Sequence, residues 1–330
     1  MTRIKDTDYL QLSAYIRARE TKLLNKERIE RMLEAPTIAE ALKVLEECGW
    51  GELSSLGPEE FEARLSAHLK EQLDDIEELV PDKRIVYAVR LKYDYHNIKV
   101  LVKSEATGEL SDRLMSRLAN IEPELLKAAY LQKDYSSLPK GIADSISEAA
   151  EILAKTGDPQ LMDFVLDKSY CAELLSLAKE IGSEFLLGYI RLFIDCANLR
   201  AFVRASRLGK DAEFLMRALI EGGNISPNEY VLSAGSEERL LSLFSSSELG
   251  KAAEAGAEAI KGGRLSDFER LTDNALKEYL VGARFVSFGE APVVAYLQAL
   301  ESEIVTIRII VSGRRSWLSP ADIRRRLREV

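Results

Sequence analysis

Three segments of the chain repeat one pattern of polar residues, and this repetition constrains the fold more than any other feature. The segments are KYDYHNIKVLVK from Lys92, LFIDCANLRAFVR from Leu192 and QALESEIVTIRII from Gln298. Each has an acid, then a small polar residue three positions later, then a base five positions after the acid. The aligned residues are Asp94, Asn97 and Lys99, then Asp195, Asn198 and Arg200, then Glu303, Thr306 and Arg308.

Apolar residues place each repeated segment on an amphipathic helix. Around the third segment they follow steps of three and four positions, which is the period of one helical face. These residues are Leu297, Leu300, Ile304, Ile307 and Val311. With only nine prolines and a composition rich in strong helix formers, the chain is expected to be all-α.

The repetition predicts three related helical units, at residues 1–109, 110–212 and 213–330. A unit of a few helices has an apolar side that it cannot cover alone, so neighbouring units pack around a shared centre. Three such units can close into a ring or funnel.

Each repeated helix is followed by a glycine and then by an apolar residue directly before a serine. The sequences are GELSDRL from Gly108, GNISPNEY from Gly223, and WLSPADI from Trp317 after Gly313. Glycine commonly ends a helix and serine commonly begins the next. The same order in all three places strengthens the prediction of a repeat.

The acid and the base of each pattern must find partners on other helices. Residues five apart on a helix point about 140° away from one another, so Asp94 cannot pair with Lys99 in its own helix. Two interpretations remain open. The polar residues either bridge neighbouring helices, or they line the central funnel and contact another protein.

Charge and composition exclude several classes of function. The net charge of −9 lacks the basic footprint typical of nucleic-acid binding. No apolar run reaches the roughly 18 residues of a membrane-spanning helix, and the N-terminus lacks the apolar core of a secretory signal. We therefore expect a cytoplasmic protein. With two histidines and no phosphate-binding glycine motif, no cofactor or metal is expected.

Arginines are concentrated at the C-terminus. From Arg308 to Val330 there are seven arginines and two acidic residues. The cluster Arg324, Arg325 and Arg326 has three interpretations: a solvated helix end, a contact with anionic lipid, or a docking site for an acidic partner.

One run of acidic residues resembles a motif found in a class of enzymes. Asp74, Asp75, Glu77 and Glu78 in QLDDIEELVPDK resemble the magnesium-binding motif of isoprenoid synthases. Asp75 and Glu78 could share one helical face and hold a hard cation. However, no second acidic motif with matching spacing accompanies them, and such runs are usually solvated helix faces.

The repeated segments, together with YIRARETKLL near the N-terminus, resemble the C subunit of bacterial and archaeal V/A-type rotary ATPases. The eukaryotic relative of that family is the d subunit of vacuolar ATPases. The resemblance covers almost the whole chain, and its segments occur in the same order.

The resemblance implies an all-helical, funnel-shaped adapter with pseudo-three-fold symmetry and without an active site. Its expected partners are the central stalk shaft and the membrane rotor ring of proteolipid subunits, and its expected place is the cytoplasmic face of the membrane. There it would transmit torque between ATP chemistry and ion transport. The alternative interpretation is a general cytosolic helical scaffold.

Overall fold

The computed structural model describes residues 4–108 and 112–327. These residues form sixteen α-helices, three 3-10 turns and no β-strand, which confirms the all-α expectation. The expected boundary at residues 109 and 110 lies outside the described residues. The helices are α1 Leu10–Glu20, α2 Lys26–Glu34, α3 Ile38–Glu47, α4 Pro58–Leu79, α5 Arg84–Thr107, α6 Pro123–Gln132, α7 Lys140–Thr156, α8 Pro159–Ile181, α9 Glu184–Arg207, α10 Ala212–Ala218, α11 Pro227–Leu232, α12 Glu237–Leu243, α13 Gly250–Ile260, α14 Leu265–Val281, α15 Glu290–Arg315 and α16 Pro320–Arg324.

The chain divides into two compact units, and the first combines both ends of the sequence. Unit 1 contains Met1–Val86 and Lys277–Val330. Its long helix α15 packs against α1, α3, α4 and α16, while α16 also packs against α2. All five apolar residues predicted on the inner face of α15, from Leu297 to Val311, are buried. The predicted face of this helix is therefore confirmed.

Unit 2 contains Tyr87–Leu276. Its central helix α9 packs against α8, α10 and α13, and α8 also packs against α7. Helix α9 begins where the Ser183 side chain accepts a hydrogen bond from the backbone N–H of Leu186, at 3.0 Å. Such a cap satisfies a donor that the first helical turn leaves unpaired. Ile194, Leu199 and Val203 on this helix are completely buried.

Helices α5, α9 and α15 carry the three repeated patterns and are therefore the aligned helices. Each is preceded in the chain by another long helix: α4 before α5, α8 before α9, and α14 before α15. Within the described ranges, no helix combines the length and the apolar character needed to cross a bilayer.

Candidate functional site

The acid on α5 holds the start of the segment that leads into α6. Asp94 is 1% exposed and accepts a hydrogen bond from the backbone N–H of Ile121, at 2.9 Å. It also accepts from the side chain of Asn120, at 2.7 Å, and from its backbone N–H, at 3.3 Å. Three donors thus compensate for much of the cost of burying this carboxylate.

The acid on α9 makes the same contacts with an identical dipeptide. Asp195 is 2% exposed and accepts from the side chain of Asn224, at 2.7 Å, from its backbone N–H, at 3.1 Å, and from that of Ile225, at 3.2 Å. A proline follows each Asn-Ile pair by two positions. The expected equivalence between GELSDRL after α5 and GNISPNEY after α9 is therefore wrong. Asp195 binds Asn224 within GNISPNEY, whereas Asp94 binds Asn120, which lies beyond GELSDRL.

The acid on α15 holds the N-terminal part of the chain instead of a segment downstream. Glu303 is 7% exposed and accepts a hydrogen bond from the backbone N–H of Leu24, at 2.6 Å. Leu24 lies 279 positions earlier in the sequence and just before α2. The third aligned acid therefore joins the two ends of unit 1.

Burial raises the pKa of all three acids. It raises the pKa of Asp94 to about 6 and that of Glu303 to about 7, because desolvation disfavours the charged carboxylate. The pKa of Asp195 is raised for the same reason. The hydrogen bonds that each acid accepts act in the opposite direction and favour the charged form.

The small polar residue of each pattern lies one helical turn beyond the acid. Asn97 donates to the backbone oxygen of Ser116, at 2.9 Å, and accepts from its N–H, at 2.7 Å. Asn198 makes the same two bonds with Ile220, both at 2.8 Å. Thr306 differs, since its hydroxyl donates to a carbonyl of its own helix. The two asparagines therefore tie a second point of the following segment to their helices.

The base of each pattern binds an acid on another long helix. Lys99 on α5 lies 2.6 Å from Asp167 on α8. Arg200 on α9 contacts Glu269 on α14 at 2.9 Å, and its guanidinium also reaches Asp273. These pairs are partly buried, so solvent screens them less than pairs on the open surface.

The third base completes a cyclic order of contacts. Arg308 on α15 lies 2.8 Å from Glu62 on α4. Lys99 therefore contacts α8, the helix before α9, and Arg200 contacts α14, the helix before α15. Arg308 contacts α4, the helix before α5. The Arg308 contact links residues 246 positions apart, and the sequence pattern alone does not identify Glu62 as a partner.

The C-terminal arginines are engaged within unit 1. Arg324 binds Glu30 at 2.6 Å and Glu34 at 3.0 Å, both on α2. Arg325 forms an ion pair with Asp322, three positions earlier. The side chains of Arg324, Arg325 and Arg326 lie on an exposed part of the chain, but acidic neighbours offset part of their charge.

The acidic string on α4 is also bound by neighbouring side chains. Lys70 lies 2.8 Å from Asp74, and Arg19 lies 3.0 Å from Asp75. The hydroxyl of Tyr15 donates to Asp75 as well, at 3.2 Å. Across the residues that the structure describes, no group of three or more His, Cys, Asp or Glu side chains is placed to hold a metal ion.

Comparison with known proteins assigns this architecture to a family. The family model described as "ATP synthase (C/AC39) subunit" matches residues 12–326. The C subunit of the V-type sodium ATPase of Enterococcus hirae is 29% identical over 98% of this chain and 99% of its own length. The C subunit of the A-type ATP synthase of Methanocaldococcus jannaschii is 25% identical over 96% of this chain and 85% of its own. A chain that the model matches nearly from end to end, and that aligns with such relatives over almost its full length, belongs to the C/AC39 subunit family of V/A-type ATP synthases.

Proposed function

We propose that this chain is the non-catalytic rotor adapter of a V/A-type ATPase or ATP synthase. In this proposal it joins the shaft of the central stalk to the membrane ring of proteolipid subunits and transmits torque between them. It lies on the cytoplasmic face of the membrane and is held there by the complex. Family membership, together with full-length relatives named as C subunits, supports this assignment.

The repeated contacts carry the mechanical part of the proposal. An adapter under torque must keep its loops and helices in fixed relation while it is pushed from one side. Buried carboxylates fix a following segment on α5 and α9, and the N-terminal segment on α15. Buried polar contacts that are fully satisfied make a structure rigid, because breaking one leaves an unpaired group away from water.

The matching ion pairs of Lys99, Arg200 and Arg308 support three pseudo-repeated units along the chain. We propose units at residues 1–109, 110–212 and 213–330, each contributing one aligned helix. The third unit would bind the N-terminal part of the first unit, since Glu303 binds Leu24 and Arg308 binds Glu62. Through these contacts the first and last parts of the chain would bear the torque together.

Reconstitution of coupled transport tests the proposal. Membranes that contain the rotary ATPase but lack this chain are supplied with the purified chain, and ATP hydrolysis and ATP-driven ion uptake are both measured. We expect hydrolysis without the chain, and ion uptake only after its addition. Ion uptake that does not need the chain, or a chain that never joins the complex, would contradict the adapter role and favour a general cytosolic scaffold.

A variant of the acidic string separates the adapter from a helical enzyme. Asp74→Asn removes a carboxylate whose ion pair with Lys70 is half-exposed. We expect the variant to restore ion uptake as well as wild type does. Loss of uptake in a variant that folds and joins the complex would indicate that Asp74 takes part in chemistry.

A further inference from the structure

A tryptophan occupies a backbone conformation that normally requires glycine. Trp317 lies two residues after the end of helix α15 and has a φ of +57°. Its N–H donates to the carbonyl of Arg314, at 3.0 Å, and the N–H of Leu318 donates to that of Gly313, at 3.0 Å. This is a helix end with a left-handed residue, where the Cβ of any side chain other than glycine is unfavourable. A bulky residue in this conformation is uncommon and is a source of local backbone strain.

The two other aligned helices end with glycine at the same place. Gly108, Gly209 and Trp317 each lie fourteen residues after the aligned acid of their helix. The φ values of the two glycines are +72° and +64°. After α9, the N–H groups of Gly209 and Lys210 make the same pair of hydrogen bonds as those of Trp317 and Leu318. An added Cβ would meet no atom within 4 Å at either glycine, so backbone conformation favours glycine there and space does not.

Packing within the chain does not explain the tryptophan. Trp317 is 95% exposed, the largest exposed fraction among the large apolar residues described. It therefore combines an unfavourable backbone conformation with an indole ring in water. Tryptophan is one of the residues enriched among the energetic anchors of protein interfaces.

The corner that carries Trp317 is held firmly. Arg314 donates to the carbonyl oxygen of Leu33, at 2.6 Å, and to that of Ala35. Gly313 allows α16 to approach closely, since an added Cβ would lie 2.7 Å from a side-chain carbon of Ile323. A side chain presented by a fixed corner loses less freedom on binding, which favours affinity.

The charges near the corner favour a protein partner over a lipid surface. Arg324 is paired with Glu30 and Glu34, and Arg325 with Asp322. These pairs leave less free positive charge for anionic headgroups than the arginine count suggests. Arg314, Arg315 and Arg324–Arg326 outnumber Glu30, Glu34 and Asp322 by five to three, and this balance of charge suits a partner with an acidic rim.

We propose that Trp317 is an anchor that inserts into an apolar, acid-rimmed pocket on another subunit of the rotary ATPase. The anchor rests on the proposed adapter function and gives it a specific point of attachment. The strained helix end is retained because the partner contact requires the indole ring.

Replacing Trp317 by glycine separates the anchor from a structural role. Relief of the left-handed strain should raise the Tm of the isolated Trp317→Gly chain by roughly 1 to 3 °C. The affinity of the same variant for ATPase complexes lacking this chain should fall about tenfold or more. Trp317→Phe keeps an aromatic ring and should bind with intermediate affinity. Leu208→Gly, which removes an exposed leucine beside Gly209, is the control and should bind as wild type does.

Three results would overturn the anchor. Unchanged affinity of Trp317→Gly would remove it while leaving the adapter function intact, since wild type would still bind. A lower Tm of the variant would show that the ring stabilises the chain itself. Trp317-dependent sedimentation with vesicles of phosphatidylglycerol would identify a membrane as the occupant. Failure of wild type to bind the complex would instead reject the proposed function, and the anchor with it.

Discussion

Replacing Glu303 by glutamine should change how the stability of the chain depends on pH. The carboxylate is buried between α15 and the segment before α2, where it accepts the N–H of Leu24 at 2.6 Å. Burial raises its pKa to about 7, and the positive charge of Arg28 opposes that effect. Glutamine keeps an oxygen that can accept the same hydrogen bond, but it does not titrate.

The size of the effect follows from the two pKa values. Glutamate has a pKa of 4.5 before burial and about 7 in the folded chain, a gap that corresponds to roughly 3 kcal/mol. Between these values the folded state binds more protons than the unfolded state. The free energy of unfolding of wild type therefore falls as pH rises through this window. Most of the loss, about 2 to 3 kcal/mol, occurs between pH 5 and pH 8.

Urea unfolding at pH 5 and pH 8 measures this difference. Wild type and Glu303→Gln are compared at both pH values by far-ultraviolet circular dichroism. Other buried acids such as Asp94 are present in both proteins, so their contribution cancels in the comparison. We expect the variant to gain about 2 to 3 kcal/mol relative to wild type on going from pH 5 to pH 8. Glu148→Gln, at an exposed position on α7, controls for the loss of one negative charge.

Parallel pH profiles of wild type and Glu303→Gln would refute this reasoning. They would mean that Glu303 titrates equally in the folded and unfolded chains, and hence that its carboxylate is in contact with water. A loss of stability of the variant that is the same at both pH values would show a packing defect and no change in protonation.

Three further predictions concern stability and assembly. Replacing Leu300 or Ile307 by alanine should cost about 2 to 5 kcal/mol in urea unfolding, because both are buried on α15, and losses below about 1 kcal/mol at both would mean that the face is wrongly assigned. Asn198→Ala should cost roughly 2 kcal/mol or more, since it leaves the buried N–H and carbonyl of Ile220 without their partner, and a neutral effect would contradict the role of that contact. Replacing arginines 324–326 by glutamate should weaken binding of the chain to the complex, most strongly at low salt. It should also lower the stability of the free chain, because an acid at position 324 would repel Glu30 and Glu34 on α2. Assembly at the wild-type level throughout a salt titration would argue against a binding role of this cluster.

The sequence pattern predicted the three aligned helices and the positions of their polar residues. The spacing of Leu297, Leu300, Ile304 and Ile307 specifies one face of α15, because a helix places residues three and four apart on the same side. The repeat marked Asp94, Asp195 and Glu303 for the same reason, since equivalent helices present equivalent positions. Such features depend on local geometry and can be read from neighbouring residues.

The partners of these residues depend on tertiary packing, which the sequence pattern does not show. Glu303 meets Leu24 across 279 positions, and Arg324 meets Glu30 across 294. The left-handed conformation of Trp317 was also not predicted, because a sequence pattern indicates that a helix ends but does not give the φ of the residues that follow it. Contacts between distant parts of a chain depend on how whole helices pack, and local periodicity carries no information about them.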